Sequence, residues 1–307
     1  MKRLWVAECR PLLEYGCQLW EGAISQDWVS KLESLQLQFC RVVLGQKNSR
    51  TAGAGLRSEL GLCSLKARRV KLRLGFWSHL CRADPSRLMS VVFRRRHAEV
   101  LAGGARLSGL RHFKDALVQQ GLGFYWDAGC ISPGPVEEWK EKVDSHVMAR
   151  EREAQLQEMH TKPSLRNYVR HCLPSGDRVP VYLQDRSNVQ GRDIMAACRL
   201  GSLDLMPRIA QSMNWPESRG RCMLCGQARE DVGHFLLDCP VLRPCRAKFE
   251  DGLRHALVAQ GPPGIALLSR FSSCRDSRLG LLLGSGPRVL QESTGLEACR
   301  EQGARAC

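Results

Sequence analysis

The amino-acid sequence predicts an all-α protein with a helical N-terminal region, an irregular and helical connector, and a small metal-binding knuckle followed by C-terminal helices. Two observations predict this fold class. Apolar residues recur every three or four positions over several stretches, which is the period of one helix face. Residues that start and stop helices, such as Ser64 and Gly45, stand at the ends of these stretches. We therefore expect three consecutive regions, at residues 1–102, 103–190 and 191–307.

The N-terminal region contains the two clearest helical patterns. The first covers residues 27–44, with Asp27 as the expected N-cap and Gly45 as the stop. The second covers residues 64–81, with Ser64 as the expected N-cap. The first pattern places apolar residues at helical spacing, namely Trp28, Leu32, Leu35, Phe39, Val42 and Val43. The second predicts a core-facing stripe of Val70, Leu74, Trp77 and Cys81. We interpret Trp20, Trp28 and Trp77 as core residues, with stacking on nucleic-acid bases as the alternative.

Weaker patterns predict the remaining elements in order. A helix over residues 86–100 precedes Gly103, and a loop rich in glycine and proline follows over residues 121–135. A helix of mixed charge is expected over residues 135–160, supported by pairs such as Glu138 with Lys142. Further short helices are predicted at residues 193–200, 203–213, 246–260, 276–284 and 287–301, with the Gly-Pro-Pro-Gly sequence at residues 261–264 as a break.

Composition and charge indicate an intracellular protein with a polyanionic partner. The chain of 307 residues has 46 Lys and Arg against 31 Asp and Glu, a formal charge of +15. Fifteen cysteines are an odd number in a long chain without a secretory signal, so we expect reduced thiols in the nucleus or cytoplasm. No stretch approaches the roughly 20 apolar residues of a membrane span. We therefore expect no membrane partner, and the absence of a phosphate loop or nucleophile–base pattern predicts no small-molecule substrate.

The positive charge is concentrated in residues 41–100, which hold 14 Lys and Arg but three acids, a net charge of 14 − 3 = +11. Lys66, Arg69 and Arg73 share one face of the helix predicted there. Such a row of charges can follow phosphates without reading bases. We therefore predict contact with RNA or DNA through the basic residues of this helix, Lys66, Arg68, Arg69, Lys71 and Arg73. The alternative is a solvated basic face without a partner.

A second pattern predicts a zinc site. Cys222, Cys225, His234 and Cys239 follow the spacing Cys-x2-Cys-x8-His-x4-Cys, and four protein ligands make a closed site of the structural kind. Gly226 directly after the first pair can take the positive φ that a tight turn needs. The alternative is a set of ordinary buried cysteines with a core histidine. Cys245 is a less favoured substitute ligand.

The segment around these ligands resembles the cysteine-histidine motif near the C-terminus of reverse transcriptases from non-LTR (LINE-type) retrotransposons. The sequence Gly-His-Phe-Leu-Leu-Asp-Cys-Pro at residues 233–240 carries that resemblance. Further similar stretches occur in the family's order at residues 10–20, 31–36, 41–45, 56–62, 68–69 and 199–202. The resemblance covers residues 5–82 and 192–242 and implies that the N-terminal region is similar to the helical thumb of those enzymes.

The resemblance also implies which part of the enzyme is missing. Polymerisation in the family depends on paired aspartates that hold two metal ions, and this sequence contains no Asp-Asp dipeptide. We therefore expect no enzymatic activity, and the chain is similar to the C-terminal part of such an RNA-directed DNA polymerase. The predicted function is non-catalytic binding of RNA or DNA, stabilised by Zn²⁺. The alternatives are a zinc-dependent protein-interaction module and a transposon-derived relic without function; no pattern identifies a protein partner.

Overall fold

Helices make up the regular structure of the residues that the computed structural model describes, which are 2–20, 24–46, 51–102, 108–127, 133–173, 179–184 and 188–284. The fold is all-α, as the sequence predicts. The helices are α1 (Lys2–Leu4), α2 (Arg10–Glu14), α3 (Cys17–Trp20), α4 (Gln26–Val43), α5 (Gly53–Glu59), α6 (Leu65–Arg82), α7 (Leu88–Leu101), α8 (Ser108–Gln119), α9 (Phe124–Asp127), α10 (Val136–His160), α11 (Arg166–His171), α12 (Val189–Arg199), α13 (Met206–Ser212), α14 (Arg243–Val258), α15 (Pro262–Ser273) and α16 (Arg275–Leu282). Across the described ranges, no helix combines the length and the apolar character that crossing a membrane requires.

Contacts divide the chain into two units, each discontinuous in sequence. One comprises Met1–Phe39 and Leu62–Gln157, and the other comprises Cys40–Gly61 and Glu158–Cys307. The sequence instead predicts three consecutive regions. Contacts within one chain do not test whether those regions fold independently, so that division stays a prediction.

Helix α6 organises the core of the first unit. It buries ten of its 18 residues, including the predicted stripe of Val70, Leu74, Trp77 and Cys81. Trp77 packs against Trp139 of α10 with ring centroids 5.3 Å apart. The indole N–H of Trp139 donates to the Leu74 carbonyl over 3.1 Å, which satisfies a buried polar group. Because helices α7 to α10 all add residues to this core, α6 is covered on more than one face.

The first turn of α6 is fixed by side-chain acceptors. Ser64 is its N-cap as predicted, and its Oγ accepts from the Ala67 N–H over 3.1 Å. Glu33 accepts from the N–H groups of Leu65 and Lys66 at 3.4 and 2.6 Å. Glu151 accepts from the N–H and hydroxyl of Ser64 at 2.8 and 3.0 Å. Two carboxylates at this helix start complement its partial positive charge.

In the second unit, α5 packs closely against buried leucines. A methyl group on Gly55 would lie 3.0 Å from the Leu165 side chain and 3.1 Å from the Leu200 side chain. The two leucines therefore approach α5 at a position that has no side chain. Gly201 has a φ of +61°, and a side chain there would collide with the Ser164 carbonyl oxygen.

Cys40 and Cys172 are two of the buried thiols of the second unit. Burial raises the pKa values of Cys40 and Cys172 to about 12, because the charged thiolate loses its hydration.

A buried ion pair joins α5 to α12 within the second unit. The Arg199 Nε donates to Glu59 over 2.6 Å and its Nη2 over 3.2 Å, and the two side chains are 4% and 0% exposed. Arg199 also donates to the carbonyl oxygens of Cys172, over 3.2 Å, and of Leu283. Burial alone would lower the pKa of Arg199, but the adjacent Glu59 carboxylate reverses this and the pKa is raised. The hydroxyl of Tyr182 donates to Glu59 as well, so both charges have several partners.

The observed helices confirm several predictions and correct others. Helix α10 coincides with the predicted mixed-charge helix, and Gly45, with a φ of +66°, follows α4 closely. Asp27 lies in the first turn of α4 and is not its N-cap, since the helix begins at Gln26. Trp28 is 59% exposed, so its prediction as a core residue is wrong.

Two predicted interruptions contain helices. Helix α9 lies inside the loop expected at residues 121–135. The prolines at residues 262 and 263 open α15, because a missing N–H costs nothing in the first turn of a helix. Helices α5 and α8 are not predicted from the sequence, and the helix expected at residues 287–301 lies outside the described residues.

We expect Glu59→Gln to lower the free energy of unfolding by about 3–5 kcal/mol, because it leaves the Arg199 guanidinium buried without its counter-charge. Urea unfolding followed by circular dichroism measures this loss. The double variant Glu59→Leu/Arg199→Met removes both charges and should recover most of it. As a control, Lys31→Gln breaks the exposed pair with Asp27 and should cost less than about 1 kcal/mol. Equal losses for Glu59→Gln and Lys31→Gln would contradict the importance of the buried pair.

Candidate metal centre and basic surfaces

Four side chains converge at the segment that the sequence singles out. The ligand atoms of Cys222, Cys225, His234 and Cys239 all lie within 4.8 Å of one another. Cys222 and Cys239 are each 1% exposed and His234 is 6% exposed, while Cys225 is half-buried. Cys245 is exposed and is not part of this cluster. The predicted set of four residues is therefore confirmed as a cluster that could hold a metal ion.

The distances fit a tetrahedral ion. The Sγ atoms of Cys222 and Cys239 are 3.9 Å apart, and the Cys225 Sγ lies 3.4 Å from the His234 Nε2. A tetrahedron with bonds of about 2.3 Å to sulfur and about 2.0–2.1 Å to nitrogen has edges of about 3.8 Å and about 3.5 Å. A disulfide would bring two sulfurs to about 2.05 Å, so the separation excludes one between Cys222 and Cys239. The side chains thus form a cage of the right size for one ion.

A short hairpin holds the first two ligands. Residues Arg221 and Arg229 form an antiparallel bridge, and the Cys222 N–H donates to the Ala228 carbonyl over 2.8 Å. The turn closes through a bond of 2.8 Å from the Gly226 N–H to the Cys222 carbonyl. Gly226 has a φ of +65°, as its position in the motif predicts.

The other two ligands flank a π-helical turn over His234–Asp238: His234 begins the turn, and Cys239 directly follows it. Asp231 accepts from the His234 N–H over 2.6 Å, and the Cys239 N–H donates to the His234 carbonyl over 2.8 Å. π-Helical turns occur often at functional sites. The turn places the imidazole of His234 and the thiol of Cys239 on the same side, facing the hairpin.

Residues distant in sequence support the cluster, and the motif did not reveal them. Arg275 of α16 donates to Asp238 over 2.9 and 2.6 Å. Arg246 of α14 donates to the Cys239 carbonyl. Glu230 accepts from the Met206 N–H over 2.6 Å, which caps α13. The only sequence signal for these partners is charge, which is common along the whole chain.

Two ligand thiols differ in acidity. The backbone N–H of Gln227 points to the Cys225 sulfur and lowers the pKa of that thiol to about 7. Burial raises the pKa of the Cys222 thiol. Of these two thiols, Cys225 therefore ionises first before a metal binds, and Cys222 needs the ion to displace its proton.

The five basic residues predicted to contact nucleic acid differ in exposure. Lys66 is exposed, but Arg69 and Arg73 are 1% and 8% exposed, and Arg73 donates to the His112 carbonyl over 3.2 Å. Arg68 makes two bonds of 3.0 Å to Glu14, and this carboxylate raises the pKa of Arg68. Lys71 pairs with Asp144. The predicted exposed row of Lys66, Arg69 and Arg73 is therefore absent, because the core around α6 encloses the two arginines. Nucleic-acid contact by the five basic residues stays a prediction.

Exposed basic side chains do occur next to the cluster. Arg221 and Arg229 are both exposed and stand opposite each other across the hairpin bridge. Directly opposed residues of an antiparallel pair project to the same face, with Cβ atoms about 4.5–5.5 Å apart. Trp215 is 39% exposed, and the Arg219 guanidinium lies 4.9 Å from its ring centroid.

We expect about one equivalent of bound metal per chain, and loss of that metal in Cys225→Ser. Elemental analysis of the purified protein measures the metal content. Chelation should unfold residues 220–240, seen as fast hydrogen exchange, while residues 64–82 stay protected because their core lies in the first unit. Cys245→Ser is the control and should keep the metal. Full metal content in Cys225→Ser would contradict the ligand assignment.

Metal affinity should fall steeply with acid. Below pH 7 the ion must displace protons from at least two thiols, Cys222 and Cys225, so the logarithm of the apparent affinity should rise by about 2 or more per pH unit. Competition with a chelating dye between pH 5 and pH 7 measures this slope. A slope near zero would show that the thiols are not ligands.

Comparison of the chain with models of protein families, with curated protein sequences and with solved structures found no match. The likeness to LINE-type reverse transcriptases therefore depends on the residues quoted from the sequence, and no family is assigned to this chain.

Proposed function

We propose that the protein binds RNA or DNA without catalysing a reaction, and that a zinc ion stabilises the part that binds. The observation that carries the proposal is the pair of exposed arginines, Arg221 and Arg229, on the hairpin that also holds two ligands of the Cys/His cluster. An ion in the cluster would fix the hairpin, and the hairpin would hold both guanidinium groups in one orientation. Two preorganised guanidinium groups suit contact with phosphates.

Zinc is the ion that fits this donor set best. Three thiolates and one imidazole are soft or intermediate ligands, and tetrahedral sulfur-rich sites are typical of zinc. Because all four positions are taken by protein side chains, no position is left for a substrate or water. The proposed ion is therefore structural, and its binding free energy contributes to folding of the knuckle.

Charge and resemblance support nucleic acid as the partner. The formal charge of +15 favours a polyanion. The similarity to the C-terminal part of LINE-type reverse transcriptases supports the same partner, and the absence of an Asp-Asp pair supports binding without polymerisation. A nuclear or cytoplasmic location, where thiols stay reduced, belongs to the same proposal.

Apolar exposure at the knuckle favours a second candidate, a zinc-dependent protein-interaction module. Met223 and Leu224 stand between the first two ligands and are 76% and 49% exposed. Met213 nearby in sequence is 60% exposed. Exposed apolar side chains on a rigid turn are typical of protein interfaces. This candidate predicts that Met223 and Leu224, and not the arginines, decide partner binding.

The test is binding of a fluorescent 20-nucleotide oligouridylate, measured by anisotropy at several salt concentrations. The logarithm of affinity should fall linearly with the logarithm of salt. Arg221→Gln/Arg229→Gln should reduce the magnitude of that slope by about 1.4, because each of the two lost phosphate contacts to single-stranded nucleic acid accounts for about 0.7. Its metal content should stay at one zinc, because neither arginine is a ligand.

A matched control removes two charges elsewhere. Lys31→Gln/Lys140→Gln changes the formal charge by the same amount, but Asp27 and Glu137 already pair with these lysines at 2.8 and 2.9 Å. It should bind like the parent. If the parent has no salt-dependent affinity for the oligonucleotide, nucleic-acid binding is wrong, and the protein-interaction candidate takes its place.

A further inference from the structure

A cleft of about 340 Å³ lies in the second unit, between the end of α10 and α11. Its volume is near the lower end of the range of about 300–1,000 Å³ that small-molecule sites occupy. Three of its lining side chains are cationic, Lys162, Arg166 and Arg170. Among the described residues that line it, none is acidic. The chemistry of the walls therefore selects an anion.

The cations differ in how far they are already neutralised. Arg170 pairs with Asp276 of α16 at 2.9 Å, and His171 approaches the same carboxylate at 3.3 Å. Lys162 and Arg166 are exposed, and both side chains line the cleft. Glu158, the nearest acid in sequence, lies 3.6 Å from Arg57 and accepts from the Ala54 N–H over 3.2 Å. Lys162 and Arg166 thus provide most of the positive charge that a ligand would meet.

Apart from His160, the remaining walls are apolar. Met159 is 2% exposed, and Pro163 and Val169 line the cleft beside it. A free inorganic phosphate would use the cations but gain nothing from these side chains. A nucleotide within a nucleic-acid strand would use both the cationic and the apolar side chains, since its phosphate is anionic and its ribose and base offer less polar faces. A guanidinium can bind a phosphate through two parallel bonds or stack on a base.

We propose that this cleft binds one phosphate and the adjoining nucleoside of a single-stranded nucleic acid, with Lys162 and Arg166 as the phosphate ligands. This assignment rests on the proposed function and adds a second contact site, about 60 residues before the metal cluster in sequence. Single strands fit better than duplexes, because only an unstacked nucleoside can enter a cleft of this size.

The experiment compares the full chain with Lys162→Gln/Arg166→Gln, using the oligouridylate and a 20-nucleotide duplex of the same length as probes. At about 0.15 M salt, the variant should bind the single strand about tenfold more weakly, and the salt slope should fall by about 1.4. The loss on duplex should be smaller. Both side chains are exposed, so the melting temperature should stay unchanged, and Lys31→Gln/Lys140→Gln serves again as the charge-matched control.

A direct readout comes from photocrosslinking. An oligouridylate containing 4-thiouridine should label a peptide within residues 159–170 of the parent, and the label should be lost in Lys162→Gln/Arg166→Gln. Polyglutamate of equal length should compete poorly, because it supplies charge without a nucleoside. Equal competition by polyglutamate would mean that the cleft recognises acidic polypeptides and would overturn the assignment.

The remaining outcomes separate this site from the general function. If the parent binds the single strand and the cleft variant binds equally well, the cleft is not a contact site, while nucleic-acid binding stands. If the parent shows no salt-dependent affinity, both the proposed function and the cleft assignment are wrong.

Discussion

The buried ion pair between Glu59 and Arg199 is the constraint on which the second unit depends most. Its polar partners come from α5, α12, the end of α11, the residue after α16, and the helical turn Val181–Gln184. A charge pair removed from water is tolerated only when each remaining donor and acceptor is satisfied, so these segments must be positioned together. Glu59 and Arg199 lie in stretches of the chain that are 140 residues apart in sequence. Those stretches therefore have a structural reason to occur in one chain, whatever the chain binds.

How much of the structure could be predicted depends on how far apart in sequence the interacting residues lie. The metal ligands all lie within residues 222–239, so their spacing and Gly226 are enough to predict the cluster from the sequence alone. The same is true of α6, whose stripe and cap lie within one helix. Partners far apart in sequence, such as Arg68 with Glu14 or Arg275 with Asp238, left no pattern. Helices α5 and α9 were also missed, because α5 contains two glycines and α9 has only four residues, so neither segment shows a helical pattern of its own.

The arginines show why counting charge does not locate a binding surface. Residues on one helix face can point into the core when neighbouring helices cover that face, as at Arg69 and Arg73. Arginine suits the Arg73 position because its long side chain can pack along apolar groups while its guanidinium donates to the His112 carbonyl. The exposed arginines that remain near recognisable features, Arg221, Arg229 and Arg166, lie outside the most basic window of the sequence.

The burial of Cys40 and Cys172 determines how a cysteine-rich chain behaves toward oxidants. With pKa values of about 12, only about one molecule in 10⁵ carries a thiolate at either position at pH 7. Since the thiolate is the species that attacks peroxides and disulfides, these two sulfurs act as inert apolar volume. Among the described residues, oxidative damage should instead begin at accessible sulfurs such as Cys274, whose pKa is lowered by the hydroxyl and N–H of Ser277. The protein can thus contain many cysteines and still resist the loss of its core to oxidation.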